Sequence, residues 1–301
     1  LTLEGGKLPV TSLKGSNLKV KAIDLSRRNL SYLSAIFLGT LLEMNSTITE
    51  LSLHTNELTP LGAKMVVERL QPSLKSLDLN NIVRVDGTEK NKKGAEKGKN
   101  LSYSTVTPRV AEKEVVAEQL EQLWAAVMKL GSLEKLTMDR DHLLDLRPDR
   151  DSISTLGQLI NLKTLSLANN RLTSLPEDLC LAKGLKVLSL HNNKLTELPI
   201  SIGQLESLEK LDLKSNNLTF LPTSISQLMS LKILDASDNK LASLDASICD
   251  LMNIEKLEFK DNPLQRPPAT IARQGITAIR RYFVELAASG ETPSNGARLV
   301  L

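Results

Sequence analysis

The amino-acid sequence predicts an α/β solenoid, a curved stack of short repeats with a parallel β-sheet on its concave face. Three observations support this class. One pattern occurs five times at a fixed spacing of 23 residues, a period typical of solenoids, with starts at Leu162, Leu185, Leu208, Leu231 and Ile254. An asparagine recurs at the same place in every repeat. Aromatic residues are only 3% of the chain, because leucine fills the interior of the repeats.

Each repeat begins with a short strand whose alternate side chains point inward. In the first repeat Leu162, Leu165 and Leu167 face the interior, and the residues between them face outward. The asparagine follows where the strand turns away, and its amide can pair with backbone groups that would otherwise lack partners. We therefore predict a structural ladder formed by Asn170, Asn193, Asn216, Asn239 and Asn262. Short turns or 3-10 segments, many preceded by proline, return along the convex side.

The pattern L-x-x-L-x-L-x-x-N-x-L is that of leucine-rich repeats. The stretch NPLQRPPATIARQGITAIRRYF, which begins at Asn262, resembles the closing segment of the Ras-group intracellular leucine-rich-repeat proteins, also found in the scribble and erbin group and in Roco proteins. The resemblance covers about residues 133 to 288. It implies a shared scaffold whose members differ in their partners, and it favours a small GTPase or another signalling protein as the partner.

The amino-terminal repeats are longer. Leu1, Leu3 and Leu8 match the fourth, sixth and eleventh template positions, which predicts the strand of a repeat that began earlier. The next repeats start at Val20, Ile48 and Leu74 and resemble the ribonuclease-inhibitor subclass, in which a helix backs each strand. Apolar residues at helical spacing predict these convex helices: Leu33, Ile36, Phe37, Leu41 and Met44, then Leu61, Met65, Val66 and Leu70.

The middle of the chain interrupts the repeats. From Arg84 to Lys99 it contains six Lys or Arg and three acids, which predicts a charged, flexible insertion. The net charge of this segment equals the +3 of the whole chain, so the remainder is close to neutral and argues against nucleic-acid binding. Contact of this loop with anionic lipid is left as an alternative. Val110 to Leu130 predicts a long helix whose apolar stripe includes Trp124, packed on the neighbouring convex helix.

We predict one domain over residues 1–289: ribonuclease-inhibitor-like repeats over 1–82, the insertion over 83–107, a helix and 23-residue repeats over 108–269, and a cap helix over 270–289. The cap helix, predicted from Ile271, Ile276, Ile279, Phe283 and Leu286, would cover the last strand. Residues 290–301 form a linker or tail that finishes on ARLVL, an apolar run of the kind that begins a buried strand. The resemblance to Roco proteins implies that this run is the first strand of a GTPase domain. The alternative is that it is a frayed tail.

Cysteine usage and hydropathy indicate the cellular compartment in which the protein is expected. Cys180 and Cys249 are interpreted as reduced thiols at non-equivalent repeat positions, which predicts a cytoplasmic protein. Neither a signal peptide nor an apolar run of about 18 residues is present in the sequence.

The sequence predicts binding rather than catalysis. His54, His142 and His191 fall in different repeats, and no nucleophile motif, metal-ligand spacing or cofactor motif is present. A concave sheet offers regularly spaced outward side chains, so we predict a scaffold that binds a protein partner there. The candidate contact residues are His191, Lys210, Asp212, Lys214, Asp235, Lys256, Glu258 and Lys260. Two alternatives stay open: these charges only pair laterally and keep the sheet soluble, or the chain is the recognition domain of a larger signalling enzyme such as a Roco-type GTPase or a kinase.

Overall fold

The computed structural model describes residues 2–3, 6–7, 9–15, 19–82, 110–139 and 159–289. It opens with an antiparallel pair, β1 (Thr2–Leu3) and β2 (Gly6–Lys7). Nine further strands form one parallel sheet in chain order. They are β3 (Ala22–Asp24), β4 (Glu50–Ser52), β5 (Ser76–Asp78), β6 (Lys135–Thr137), β7 (Thr164–Ser166), β8 (Val187–Ser189), β9 (Lys210–Asp212), β10 (Ile233–Asp235) and β11 (Lys256–Glu258). The predicted solenoid is therefore confirmed.

The convex side changes character along the chain, as predicted. Its first part carries helices, namely α1 (Val10–Leu13), α2 (Tyr32–Leu42), α3 (Pro60–Val67) and α4 (Val110–Met128). Four 3-10 turns follow, Glu177–Leu181, Ile200–Gln204, Thr223–Gln227 and Ala246–Asp250, and the described chain closes with α5 (Ala269–Ala272) and α6 (Ile276–Ala288). Helix α2 packs on α3, and α3 on α4. Trp124 is buried in the common core, as expected from its place in the apolar stripe.

The asparagine ladder is confirmed. The Nδ2 of Asn193 donates to the carbonyl oxygens of Leu167 and Leu190 at 3.0 and 2.9 Å, and its Oδ1 accepts from the Leu172 N–H at 3.0 Å. Each amide thus joins two successive repeats. Equivalent bonds are made by Asn56, Asn216, Asn239 and Asn262. The ladder is structural because every one of these side-chain amides forms its hydrogen bonds with backbone groups.

The helix predicted from Leu33, Ile36, Phe37, Leu41 and Met44 is present as α2, but its buried face is a different one. Leu33, Phe37 and Met44 are 65%, 53% and 79% exposed. The buried residues of α2 are Ser34, Ala35, Leu38, Gly39 and Leu42. Small residues decide the orientation, since a Cβ on Gly39 would lie 2.9 Å from the Met65 carbonyl oxygen of α3. Only a helix face with small side chains allows the two helices to approach this closely.

The first predicted strand does not join the parallel sheet. Leu3 pairs with Gly6, and Thr2 with Lys7, so β1 and β2 form a local hairpin and the sheet begins at β3. Leu1 and Leu8 lie outside the described residues. A hairpin partner three residues away closes a far shorter loop than a neighbouring repeat does, which favours the local pair.

The two cysteines occupy equivalent repeat positions, contrary to the sequence interpretation. Each is the fourth residue of a 3-10 turn, Cys180 in Glu177–Leu181 and Cys249 in Ala246–Asp250. Both are free thiols. Burial raises the pKa of Cys180 to about 11 and raises the pKa of Cys249 as well. Neither thiol is therefore activated by its surroundings.

The cap helix is present, but its main contact is with the last 3-10 turn, Ala246–Asp250, and not with β11. Ile279 is fully buried there. Arg280 completes the contact, since its Nε donates to the Cys249 carbonyl oxygen at 3.0 Å and its Nη2 to that of Leu251 at 2.8 Å. The cap therefore satisfies carbonyl groups at the convex end of the last complete repeat.

Three features predicted from the sequence lie outside the described residues. They are the charged segment from Arg84 to Lys99, most of the acidic turn that follows β6, and the tail 290–301. In the parts of the chain that are described, no helix is long and apolar enough to cross a membrane.

Candidate protein-binding face

The concave face is organised around one column of side chains. The last residue of each strand pairs in register with the last residue of the next, so these residues form a continuous line across the sheet. We call it the central column; its members are Asp24, Ser52, Asp78, Thr137, Ser166, Ser189, Asp212, Asp235 and Glu258. Every member carries a carboxylate or a hydroxyl group. Neighbouring members are about 4.8 Å apart, the spacing of paired strands.

The aspartates of the central column also end their own strands. Each accepts a hydrogen bond from the backbone N–H two residues later, at 2.8 Å for Asp24, 3.1 Å for Asp78, 3.3 Å for Asp212 and 3.0 Å for Asp235. This is the bond of an Asx turn, which redirects the chain. Hydrogen bonds from Ser26 hold the pKa of Asp24 below its usual value. Sequence reasoning missed this structural role, although an aspartate recurring just before the turn was its signal.

Over strands β4 to β7 the hydroxyl groups of the concave face donate to its carboxylates. Asp78 accepts from Ser52 Oγ at 3.2 Å and from Thr137 Oγ1 at 3.0 Å. Asp139 accepts from Ser166 Oγ at 2.6 Å and from the Ala168 N–H at 2.7 Å. The side chains here are short, and their donors are used within the sheet. This half of the face therefore presents short side chains whose orientations are already fixed by hydrogen bonds within the sheet.

The predicted contact residues lie on strands β9 to β11 or just after strands β8, β9 and β11, and the structure brings some of them together. His191 Nδ1 lies 3.3 Å from Asp212 Oδ2 on the neighbouring strand. Lys256 pairs with Glu258 at 3.8 Å within one strand, and Lys260 lies 3.9 Å from Asp261. The carboxylate of Asp235 accepts from Ser237.

Lys210 and Lys214 differ from the other cations of this group. Both are exposed, and neither has a carboxylate within 4.0 Å in the described parts of the chain. They flank Asp212, with Lys210 at the start of β9 and Lys214 two residues after its end, at the centre of the predicted patch. Ion pairing between neighbouring side chains therefore accounts for part of this charge pattern, but it leaves these two ammonium groups available to contact a partner.

Ser189, His191 and Asp212 are the residue types of a hydrolytic triad, but their geometry is wrong for one. The Oγ of Ser189 lies 3.1 Å from Nδ1 of His191, the same ring nitrogen that faces Asp212. In a triad the serine and the carboxylate contact opposite ring nitrogens. The Nε2 of His191 lies instead 3.4 Å from the side-chain amide of Asn169. His54 contacts Thr55 at 3.0 Å, and His142 lies outside the described residues.

A second column, just before the strands, carries bridged ion pairs. Glu134 lies 3.0 Å from Lys75 and 2.6 Å from Lys163, and Glu209 lies 3.0 Å from Lys186 and 2.8 Å from Lys232. Each glutamate therefore accepts from lysines of the two adjacent repeats. Those hydrogen bonds hold the pKa of Glu134 and that of Glu209 at about 2. The pairs tie successive repeats together along the rim of the concave face.

We predict that these bridges make stability depend on acid pH. The folded-state pKa of about 2 lies below the ordinary value of 4.5, so the contribution is present above that value and is lost as the pH falls toward 2. The variant with Glu134→Gln and Glu209→Gln should show a shallower fall in unfolding free energy from about pH 5 to 2, measured by urea denaturation. Glu197→Gln, at an exposed site, is the control. Equal slopes for all three proteins would contradict the assignment.

Comparison with known proteins agrees with this architecture. A family model described as a leucine-rich repeat region matches residues 115–258. The chain is similar to a leucine-rich-repeat protein of Leptospira interrogans, with 27% identity and a TM-score of 0.54 over 86% of this chain and 59% of the other. No curated protein matches the chain in sequence.

Two plant receptors share the fold alone. The Arabidopsis receptor kinase HAESA, solved with the peptide hormone IDA and the co-receptor SERK1, has 22% identity and a TM-score of 0.54 over 87% of this chain and 36% of its own. The plant peptide hormone receptor RGFR1, solved with RGF2, has 14% identity and a TM-score of 0.53 over 88% and 36%. The chain thus spans little more than a third of each receptor chain and about three fifths of the bacterial protein.

Proposed function

We propose that this leucine-rich-repeat solenoid is a non-catalytic scaffold that binds a protein partner on the concave face of its sheet. The observation that carries the proposal is the in-register sheet of nine strands, whose outward side chains are held at fixed spacing by the asparagine ladder and the Asx turns. A rigid array of this kind loses little conformational entropy when a partner binds. Leucine-rich-repeat folds serve in general as interaction modules, which supports the same conclusion.

The carboxyl-terminal half of the face is the proposed contact patch, formed by His191, Lys210, Asp212, Lys214, Asp235, Lys256, Glu258 and Lys260. Charges of both signs alternate there, so the patch fits a partner surface with the opposite alternation, as in electrostatically specified interfaces. Lys210 and Lys214 are its strongest members, because binding them breaks no existing ion pair. The resemblance to Ras-group proteins favours a small GTPase or another signalling protein as the partner.

We predict that reversing the central column in this patch abolishes partner capture. We combine Asp212→Lys, Asp235→Lys and Glu258→Lys in one variant. It should reduce the amount of captured partner at least tenfold, since each new lysine would face a positively charged group of the partner. The change removes the Asx-turn bonds of Asp212 and Asp235, each worth about 0.5–1.5 kcal/mol, together with exposed ion pairs worth about 0–1 kcal/mol, so the melting temperature should fall by several degrees while the chain remains folded. Affinity capture followed by mass spectrometry, with differential scanning calorimetry on the same samples, measures both quantities.

The matched control reverses three exposed acids away from the sheet, Glu206→Lys, Asp250→Lys and Glu285→Lys. This variant changes the net charge by the same amount and should capture the partner normally. If the concave variant bound as well as the wild type while remaining folded, the concave face would not be the binding surface.

A further inference from the structure

The outer edge of β11 carries a backbone donor whose counterparts are paired in the earlier strands of the sheet. From β3 to β10, the N–H of the residue after the central column donates to the column carbonyl of the next strand, as in Leu213 to Asp235 at 2.7 Å. The equivalent donor after β11 is the N–H of Phe259, and no acceptor for it exists among the described residues. Phe259 is only 4% exposed. Leaving such an N–H group unpaired costs free energy, so a partner at this edge would be stabilising.

The same edge carries an unpaired backbone acceptor. The carbonyl oxygen of Lys232, just before β10, accepts from the N–H groups of Glu255 and Lys256 at 2.8 and 2.9 Å, and the same forked pair of bonds joins the earlier strands of the sheet. The corresponding carbonyl oxygen of Glu255 receives no donor from the parts of the chain that the structure describes. One donor and one acceptor, four residues apart, are therefore available to a strand that pairs with β11.

Core burial is also incomplete at this end of the sheet. The inward residue at the middle of β4 to β10 is 0–2% exposed, whereas Leu257 of β11 is only partly buried. Helix α6 packs mainly on the convex turn Ala246–Asp250, so the cap covers the other side of the last repeat. An apolar side chain placed against Leu257 would therefore remove further apolar surface from water.

The outward charges of β11 are complementary to themselves. Lys256 and Glu258 lie on either side of Leu257 in this three-residue strand. When two copies of β11 run antiparallel with their Leu257 residues opposite each other, Lys256 of each copy lies opposite Glu258 of the other. Opposite charges stabilise such a cross-strand pair, and like charges destabilise it. A lysine on an edge strand usually hinders pairing between chains, but here the glutamate two residues later supplies its counter-charge.

We propose that β11 pairs antiparallel with β11 of a second copy of this chain, about a twofold axis at Leu257, and so forms a closed dimer. In this register the N–H of Phe259 donates to the Glu255 carbonyl oxygen of the second copy, and symmetry repeats the bond in the other direction. The unpaired donor of each copy thus meets the unpaired acceptor of the other. The two Leu257 side chains cover each other. Hydrogen bonds, charges and apolar contact all select the same register, and this agreement favours a second copy over an unrelated strand.

The dimer joins the two nine-stranded sheets through a short contact, so the association should be weak. We expect a dissociation constant on the order of 10–100 µM. The concave faces of the two copies then lie side by side on one continuous sheet. This inference is independent of the proposed partner binding, because it is tested on the purified chain alone.

Sedimentation velocity of the full chain at concentrations from about 1 to about 500 µM tests the proposal. The wild-type chain should change from monomer to dimer over this range. Lys256→Glu and Glu258→Lys should each weaken the dimer roughly tenfold or more, because each sets like charges opposite each other twice in every dimer. The variant with both changes should dimerise like the wild type, since the complementary pairs are restored. Lys194→Glu, at an exposed site away from β11, is the matched control and should leave the dissociation constant unchanged.

Mixing the two single variants gives a second test of the register. One copy then presents two glutamates and the other two lysines, so the mixture should form a heterodimer that neither variant forms with itself. Hydrogen exchange of the Phe259 amide should accelerate on dilution of the wild-type chain, because its acceptor lies in the second copy.

Four results would overturn the proposal. One is a wild-type chain that stays monomeric up to about 500 µM. Another is a double variant that dimerises no better than the single variants, with no heterodimer on mixing, since the charges would then not face each other. A series of ever larger species would indicate head-to-tail contact in place of a closed dimer. The fourth is a Phe259 amide that stays protected in the diluted monomer, because the edge would then be covered within one copy.

Discussion

Replacing Asn216 with alanine should lower the free energy of unfolding by about 3 kcal/mol or more. The amide of Asn216 accepts from the Leu195 N–H at 3.0 Å and donates to the carbonyl oxygens of Leu190 and Leu213 at 3.0 and 2.9 Å. Alanine leaves these backbone groups buried and unpaired between two repeats, and each such group costs roughly 1–3 kcal/mol. Urea denaturation monitored by far-UV circular dichroism measures the loss.

Asn217 provides the matched control. It follows Asn216 directly, but its hydrogen bond to Leu195 uses the backbone N–H, which donates to the Leu195 carbonyl oxygen and survives substitution. We expect Asn217→Ala to change stability by less than about 0.5 kcal/mol. Asn216→Asp should fall between the two, because it keeps the acceptor and removes the donors. Equal stabilities of the Asn216 and Asn217 variants would refute the role of the ladder.

Replacing Gly203 with alanine should cost about 1–3 kcal/mol through overpacking. Gly203 lies in the 3-10 turn Ile200–Gln204, where the next turn approaches very closely. A Cβ there would lie 2.4 Å from the Ser224 carbonyl oxygen and 2.9 Å from Gln227 Cβ. The first of these is a backbone atom, so the neighbouring turn must shift as a whole. Thermal and urea unfolding of the variant report this cost.

Gly184→Ala is the control for this prediction. Among the described residues its Cβ would meet only the Ile160 carbonyl oxygen at 3.4 Å and that of Leu162 at 3.8 Å, which are ordinary contacts. We expect a neutral or slightly stabilising effect, since alanine restricts the unfolded chain more than glycine does. Should Gly203→Ala prove as harmless as Gly184→Ala, the convex turns would be more loosely packed than the structure indicates.

Both sites connect stability to binding. The ladder and the close convex turns fix the distance between successive repeats, and that distance sets the spacing of the concave side chains. A repeat that loosens at Asn216 would separate Asp212 from His191, which lies just after the preceding strand. We therefore regard the rigidity of the repeats as part of the proposed scaffold function.

The 23-residue period by itself determined the repeats from Leu162 to Pro268. Leucines at fixed positions require stacked coils, because only that arrangement buries every one of them, and the asparagine after each strand requires the ladder. The candidate contact positions on the concave face also follow from the pattern, because strand side chains alternate. The local sequence is sufficient to predict these features, since each repeat contacts only its neighbours.

Other features were decided only by the tertiary structure. Helix α2 has apolar residues on both faces, and the fit of Gly39 against the Met65 carbonyl group of α3 selects the buried one. The same holds for the pairing of charges. Asp212 meets His191, which lies 21 residues earlier and just after β8, whereas Lys210 and Lys214 meet no carboxylate in the described chain. Periodicity specifies which residues face inward or outward along one element. It carries no information on the distance between two elements, and that distance decides close packing and ion pairing.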